Sequence, residues 1–472
     1  MRTAIQYSLV IGCLALPLAA AAERAHPRGA DLGFAGAGYT DSGIFATRNP
    51  AAEVAEGGRG VRMGIFGLGV GYEFGDVSDF GDRFEQVGDD ADELSKMVGN
   101  LGELDDVQDI LDVIDQIGTT EESINELLDA IAEEGYFALS VEGHPPPFPL
   151  SITQDALRGS LTVDLNFSFR GHVSVLHKGR IATGFADIPT DLDTFQDDGW
   201  SYDGTNIIDP DGETIELDAE FSLDESGGYV QSAQNRTFSL GYGTGVLVRR
   251  AGVLYAGARL NHHTVELSRA AAFFDDDAED TLSDRYNDNL RESNDVGVDL
   301  GMVWHGPGYR LGATVYNLVE PSFDYADIGV DCDAGDRNCE LLDEYAEAGF
   351  VERRKTYTME RQLTLEGAYH HRGGRWMAGL SVDANAVEGP FGENFDDEHQ
   401  WVALAGALRT RSAWAPQARL GLRHNAAGSE LTFVTAGVTF FRGLHLDAAA
   451  STERVDSVPR AMQLNLSAEA AF

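Results

Sequence analysis

The chain is poor in basic charge. Against 78 Asp and Glu it carries 34 Lys and Arg, a net charge of −44, and only Lys96, Lys178 and Lys355 are lysines. A surface of that sign repels phosphate backbones, so direct nucleic-acid binding is excluded as a function. It suits a salt-rich habitat or a surface that attracts cations. Cysteine is scarce as well: Cys13, Cys332 and Cys339 are the three present, and none stands in a Cys-x-x-Cys redox spacing. Proline is low, at 14, beside 54 glycines, a composition of long strands with close backbone approaches. Beyond the first two dozen residues no stretch nears the roughly 20 consecutive apolar residues of a spanning helix. Catalytic signatures are missing too: there is no Gly-x-Ser-x-Gly, no His-Glu-x-x-His and no phosphate-binding loop. His262-His263 and His370-His371 are adjacent pairs, whose rings on a strand point to opposite faces and cannot share a metal. The residues imply no enzyme activity and no cofactor.

What is present begins with an export pattern. Arg2 supplies a positive start, Ser8 to Leu18 an apolar run, and Ala20-Ala21-Ala22 a small-residue cleavage site before Glu23, so residues 1–22 read as a signal peptide. Cys13 lies inside the apolar run, where a lipid anchor does not fit. In the oxidising compartment beyond, Cys332 and Cys339, with six residues between them in a Gly/Asp-rich loop, are expected to pair as a disulfide.

Residues 23–58 are Gly/Ala-rich, too small-residued for a core strand and too Gly-rich for a helix, and are set apart as a segment of their own. Residues 59–75 hold a first strand, with Gly67, Gly69 and Gly71 on one face and Leu68, Val70, Tyr72 and Phe74 on the other. Residues 76–135 change character. They hold twenty acidic residues against Arg83 and Lys96, and apolar residues recur at helical spacing, as in Leu104, Val107, Leu111 and Ile114. Thr119 with Glu122 reads as a capping box and Gly135 as a stop, so the segment is expected to be an acidic α-helical hairpin, solvated or presented to an envelope partner.

From 136 to 472 the chain reads as strands. Phe238, Leu240, Tyr242, Val246 and Val248 share a face opposite Ser239, Gly241, Gly243 and Arg249. Short turns such as His305-Gly-Pro-Gly308 alternate with long acidic connections around residues 189–212, 274–289 and 324–349. Arg249, Arg259, Asp299, Glu366, Asp383 and Arg419 fall on the second faces, where a sandwich core would have to bury them unpaired and a wet lumen need not. The last strand alternates strictly: Leu464, Leu466 and the terminal Phe472 on one side, Gln463, Asn465 and Ser467 on the other. Together these predict an all-β fold, an antiparallel transmembrane β-barrel of roughly 14 strands.

Two resemblances sharpen the expectation. Arg28-Gly-Ala-Asp-Leu-Gly-Phe-Ala-Gly-Ala-Gly38 followed by Asn49-Pro50-Ala51 resembles the amino-terminal plug of FadL-like outer-membrane transporters. With the acidic insertion, Asp295-Val-Gly-Val-Asp-Leu-Gly301, Tyr309-Arg-Leu-Gly312, Asn317-Leu318 and Pro321, the chain is more similar to the TraF-like conjugal transfer barrel family, as it is in Arg419-Leu-Gly-Leu-Arg-His-Asn425 and Gly443-Leu-His-Leu-Asp447. A thioredoxin-like periplasmic protein shares that name, but this chain has neither its cysteine pair nor a βαβ pattern. The resemblance implies a non-enzymatic barrel in the outer membrane of a Gram-negative bacterium, embedded in its lipid, with Leu464, Leu466 and Phe472 as the signal read by the barrel assembly machinery. Ala470 departs from that signal, which usually has an aromatic two places before the end. A FadL-like channel for a hydrophobic solute and a soluble exported β-protein with a structural or adhesive role are the alternatives. An apolar lumen would favour the channel, and a polar one the TraF-like reading.

Overall fold

A computed structural model of the chain describes residues 27, 29–37, 44–46, 48–56, 60–76, 86, 90, 107–177, 188–202, 207–211, 214–215, 226–273, 278–330, 332, 336–371, 375–392, 395–410, 416–455 and 457–472. The signal-peptide expectation for residues 1–22 lies outside them.

Fourteen strand positions run in sequence order and close into a ring. They are β1 (Gly60–Phe74), β2 in two pieces (Tyr136–His144 and Leu150–Gln154), β3 (Gly159–Leu176), β4 (Gly227–Arg249), β5 (Gly252–Phe273), β6 (Arg291–Gly306) and β7 (Tyr309–Tyr316). Then follow β8 (Gln362–His370), β9 (Trp376–Asp383), β10 (Trp401–Leu408), β11 (Gln417–Asn425), β12 (Thr432–Phe440), β13 (Leu444–Ser451) and β14 (Ala461–Ala471). Every neighbour is antiparallel, and β14 pairs back onto β1 from Arg62↔Ala471 to Glu73↔Ala461. No sheet edge is left, which is what allows strands to cross a membrane. β2 is one strand position broken by Pro145, Pro146, Pro147 and Pro149, residues without an N–H to give to the ladder. Its first piece faces Gly67–Phe74 of β1 and its second faces Gly60–Met63.

The alternation read from the sequence sorts into outside and inside. Leu240, Leu300, Leu404, Leu420, Leu446, Leu464 and Leu466, on six different strands, are all exposed on the outer surface. Their neighbours on the inner face (Ser239, Asp299, Arg419, Asp447, Gln463 and Asn465) are buried. An apolar belt of this extent is far larger than the patches a soluble monomer leaves in water. Aromatic residues rim the short-turn end, where Trp304 Nε1 donates to the Tyr309 hydroxyl at 3.2 Å and the Tyr369 and Trp376 rings lie 5.5 Å apart.

β1 departs from simple alternation. A bulge between Gly64 and Phe66 leaves Ile65 and Phe66 both exposed and swaps the faces. Arg62, placed on the outward face by strict alternation, therefore turns inward to Glu53 at 3.4 Å.

The connections are asymmetric. At the end holding Gly60 and Phe472 the strands are joined by the short links 155–158, 250–251, 307–308, 371–375, 409–416 and 441–443. The other end carries 75–135, 177–226, 274–290, 317–361 and 384–400, the last being a long loop the sequence reading did not mark. The acidic insertion belongs to this long-loop end. Its described part is one helix, α3 (Val107–Glu134), that runs through the expected hairpin bend. Thr119 does not cap: its hydroxyl donates back to the Asp115 carbonyl at 3.0 Å, as a mid-helix Thr does. Gly135 does stop the helix, its N–H closing on Ile131 O at 2.9 Å. The remainder of the expected hairpin falls almost wholly outside the described residues. α3 buries Ile110, Leu111, Ile114 and Ile117 against Ile188, Phe195 and Ile207 of the 177–226 connection. Before it in the chain come two short helices inside the barrel, α1 (Ala30–Gly33) and α2 (Ala52–Glu56).

Candidate functional site: the barrel lumen

The lumen is filled in layers, and glycine decides the lowest. Gly243, Gly257 and Gly301 occupy one row across β4, β5 and β6, since Gly243 pairs with Gly257 and Gly257 with Gly301. Asn49-Pro50-Ala51 docks on this row. A Cβ at Gly301 would sit 2.1 Å from Asn49 Oδ1, and one at Gly257 would sit 2.5 Å from the Pro50 carbonyl. No side chain larger than hydrogen fits there. The Asn49 amide donates to Met302 O and Ala313 O, both at 3.2 Å, and its Oδ1 accepts from Ala51 N at 2.9 Å. Across the barrel, Phe34 lies against Gly379, Ala35 against Gly421 and Gly33 against Gly437. Small inward residues such as Ala403, Ala405 and Ala407 complete the surface on which Phe34, Ala37 and Ala51 are buried.

The charges read as facing a wet lumen are largely dry and paired. Arg419 meets Asp447 at 2.8 Å with both side chains buried, Arg259 Nε meets Asp299 at 3.1 Å, and Arg48 meets Asp31 at 2.8 Å. Asp383 accepts from the Thr364 hydroxyl at 2.6 Å and from Trp401 N at 3.0 Å. Removing one member of such a pair would strand the other at a cost of about 3–5 kcal/mol. Arg249 differs: it is exposed at the short-turn end.

Above the glycine row β3, β4, β5 and β6 turn a polar patch inward. Register aligns Asn166 with Thr237 and His263, and Asp164 with Ser239 and Asn261. Ser239 Oγ donates to Asn261 Oδ1 at 2.7 Å, and Asn261 Nδ2 donates to Asp299 Oδ2 at 2.9 Å. The other Asp299 oxygen accepts from Asn317 N at 3.1 Å, and Asn317 has the left-handed φ of 48°. Two motif residues, Asp299 and Asn317, are thus joined directly beside the seat of Asn49. These groups surround a cavity of about 110 Å³, reached also by Phe45, His144 and Met359.

Higher still the wall becomes apolar. Val265 and Leu267 pack with Phe323, Tyr325, Tyr357 and Phe391 from the 317–361 and 384–400 connections. These loops form a cap over the long-loop mouth. Buried Arg170 meets Asp397 at 2.5 Å, Arg269 Nε donates to Ala326 O at 3.0 Å, and Lys355 donates to Phe391 O. Burial would raise the Asp397 carboxyl, but Arg170, His399 and the Phe391 N–H outweigh it and hold it well below the usual carboxylate range. Burial pushes the Lys355 ammonium down to about 8. Within the cap Cys332 and Cys339 are bonded, their Cα atoms 5.5 Å apart.

The three plug-like residues therefore lie together on the glycine row. Leu464 and Leu466 face outward on β14, and Phe472 is exposed beyond it, its backbone paired with Val61. The histidine pairs behave as alternation requires: His263 is buried inward and His262 exposed. Among the described residues no three metal-ligating side chains converge. The polar cavity and the cap ion pair were missed. The cavity's signal lay in the second face of β4, where Asn235, Thr237 and Ser239 recur every two residues, whereas nothing in the sequence pairs Arg170 with Asp397.

Among solved structures the chain is similar to the Ralstonia pickettii toluene transporter TbuX, at 13% identity and a TM-score of 0.39 over 94% of this chain and 97% of that one. A Pseudomonas aeruginosa FadL homologue overlaps at 10% identity and a TM-score of 0.39, over 96% and 99%. The TodX monoaromatic hydrocarbon channel, as a mutant, overlaps at 12% and 0.37, over 92% and 96%. The strand register, not these overlaps, establishes the barrel. No curated protein matches the sequence. The model of one family, described as "F plasmid transfer operon, TraF, protein", covers residues 46–383, well over half the chain and including the Asn49 seat, the Asp299–Asn317 junction and the 317–361 part of the cap, and the chain belongs to that family.

Proposed function

We propose that this protein is a non-enzymatic outer-membrane barrel of a Gram-negative bacterium that serves the envelope side of conjugation, its lumen held shut by its own amino-terminal segment. The observation that carries this reading is the lumen itself. Asn49-Pro50-Ala51 is seated on a glycine row from below, a cap is locked from above, and the space between is lined by Asn, Asp, Glu, Ser, Thr, His and Arg side chains, with Ile44, Phe45 and Met359 the apolar minority. A channel for hydrophobic solutes needs an apolar path through that level. The polar chamber disfavours it, although the solved proteins of similar outline include hydrocarbon channels.

In this reading residues 23–58 act as the plug, and Leu464, Leu466 and Phe472 deliver the chain to the assembly machinery. The acidic face of α3 is presented on the long-loop side to an envelope partner. The test is deletion of the gene from a conjugating donor. Mating frequency should fall at least about tenfold and return with the intact gene, while uptake of toluene or a long-chain fatty acid stays unchanged. Unchanged mating with impaired hydrocarbon uptake would reverse the assignment.

A further inference from the structure

The chamber is a built space with a polar wall on the strand side and an apolar side formed by Ile44, Phe45, Pro149 and Met359. Its four wall strands contribute hydroxyl, carboxamide, imidazole and carboxylate groups at adjoining register positions, interrupted only by Gly241 and Gly297. Asn235, Thr237, Ser239 and Asn261 are all buried. Dry layers bound the chamber on both sides, the Asn49-Pro50 seat below and Val265, Leu267 and Phe323 above. Polar groups enclosed between apolar layers are costly unless something hydrogen-bonds with them. Much of that demand is met within the wall, yet the arrangement leaves space for an occupant.

We infer that the chamber is a binding site for a small, neutral, polyhydroxylated solute of the size of glycerol. Size sets the first limit. At about 110 Å³ the space is smaller than a 150 Å³ cavity that takes benzene, so the occupant has at most about six non-hydrogen atoms. Charge sets the second. Each carboxylate at the wall already has a cationic or imidazole partner: Asp299 with Arg259 at 3.1 Å, Glu53 with Arg62 at 3.4 Å, and Asp164 with His144 at 3.7 Å. A cation would compete with these partners, and an anion would meet three carboxylates. Hydrogen-bond character sets the third. Carboxamides and hydroxyls each donate and accept, and a solute hydroxyl does both in the same place. The Phe45 ring, edge-on to His144 with centroids 5.2 Å apart, joins Ile44, Pro149 and Met359 in giving the carbon skeleton an apolar side.

This inference is independent of any role in conjugation, since it rests on the lumen alone. It is tested by saturation-transfer NMR on the full-length protein in detergent, with glycerol and toluene as competing probes. Glycerol should receive saturation and toluene none. Thr237→Val, nearly the same shape without the hydroxyl, should weaken glycerol binding by about fivefold, and Asn261→Leu by at least about tenfold. Heat-modifiable migration shows which variants have folded, and T237V alone suffices if N261L does not fold. Transfer to toluene, equal glycerol binding in the folded variants, or no glycerol binding at all would each overturn the inference; the last would leave the chamber holding water only.

Discussion

Gly301 and Asn49 are separated by so little that a methyl group on one would lie 2.1 Å from the side-chain oxygen of the other. One residue belongs to the wall and the other to the amino-terminal segment, so the fit between them seats the segment. Gly301→Val should therefore lift Asn49-Pro50 from the row while leaving the outer belt and the register of the other strands intact. A loss of about 1–3 kcal/mol of stability is expected, as for overpacking in a filled core. Limited trypsin digestion checks it: cleavage at Arg48, now held at 2.8 Å by Asp31, should become fast in the variant and stay slow in the parent.

The cap should open when its ion pair is broken. Asp397→Asn leaves the Arg170 guanidinium buried without its charge partner, a change worth about 3–5 kcal/mol. Because the folded carboxyl titrates below its ordinary range, its contribution is complete above a pH of about 4 and is lost as pH falls further. Hydrogen exchange in residues 384–400 should rise in D397N at neutral pH, and in the parent only in acid.

Lys355 gives a dependence of the same sign in an alkaline window. Its ammonium is pushed down from 10.5 to about 8 by burial, with Glu352 pulling it back up. Between those values the opened cap binds more protons than the closed one, so closure strengthens as pH rises from about 8 towards 10.5. The opening free energy of residues 317–361, from hydrogen exchange corrected for intrinsic rates, should increase across that window. In Lys355→Met it should be flat there.

Reduction of Cys332–Cys339 should act locally. The bond closes a short loop inside the cap, worth on the order of 2 kcal/mol there. In Cys332→Ser with Cys339→Ser the cap should be cleaved faster by proteinase K, while the barrel keeps its heat-modifiable migration.

Much of the fold could be read before any coordinates, because a barrel strand writes its two environments on alternate residues. Leu464 and Leu466 against Gln463 and Asn465 needed no tertiary information. The bulge at Gly64 and Phe66 was hidden because glycine carries no polarity, so a change of face among glycines leaves no mark. The break in β2 was written in its prolines, yet only pairing on both sides shows that its two pieces share one strand position. Thr119 misled because a capping pattern on a helix that continues is satisfied by a bond back to Asp115. At the site, Asn49-Pro50-Ala51 stood out by resemblance. The glycine row that receives it unites Gly243, Gly257 and Gly301, positions that only register brings together.

The apolar belt of this barrel should lie in the outer membrane. Fractionation followed by electrophoresis of boiled and unboiled samples tests it most directly. The protein should sediment with outer-membrane lipid and, extracted in mild detergent, should migrate faster unboiled than boiled. Recovery in the soluble periplasm, with one mobility under both conditions, would contradict it.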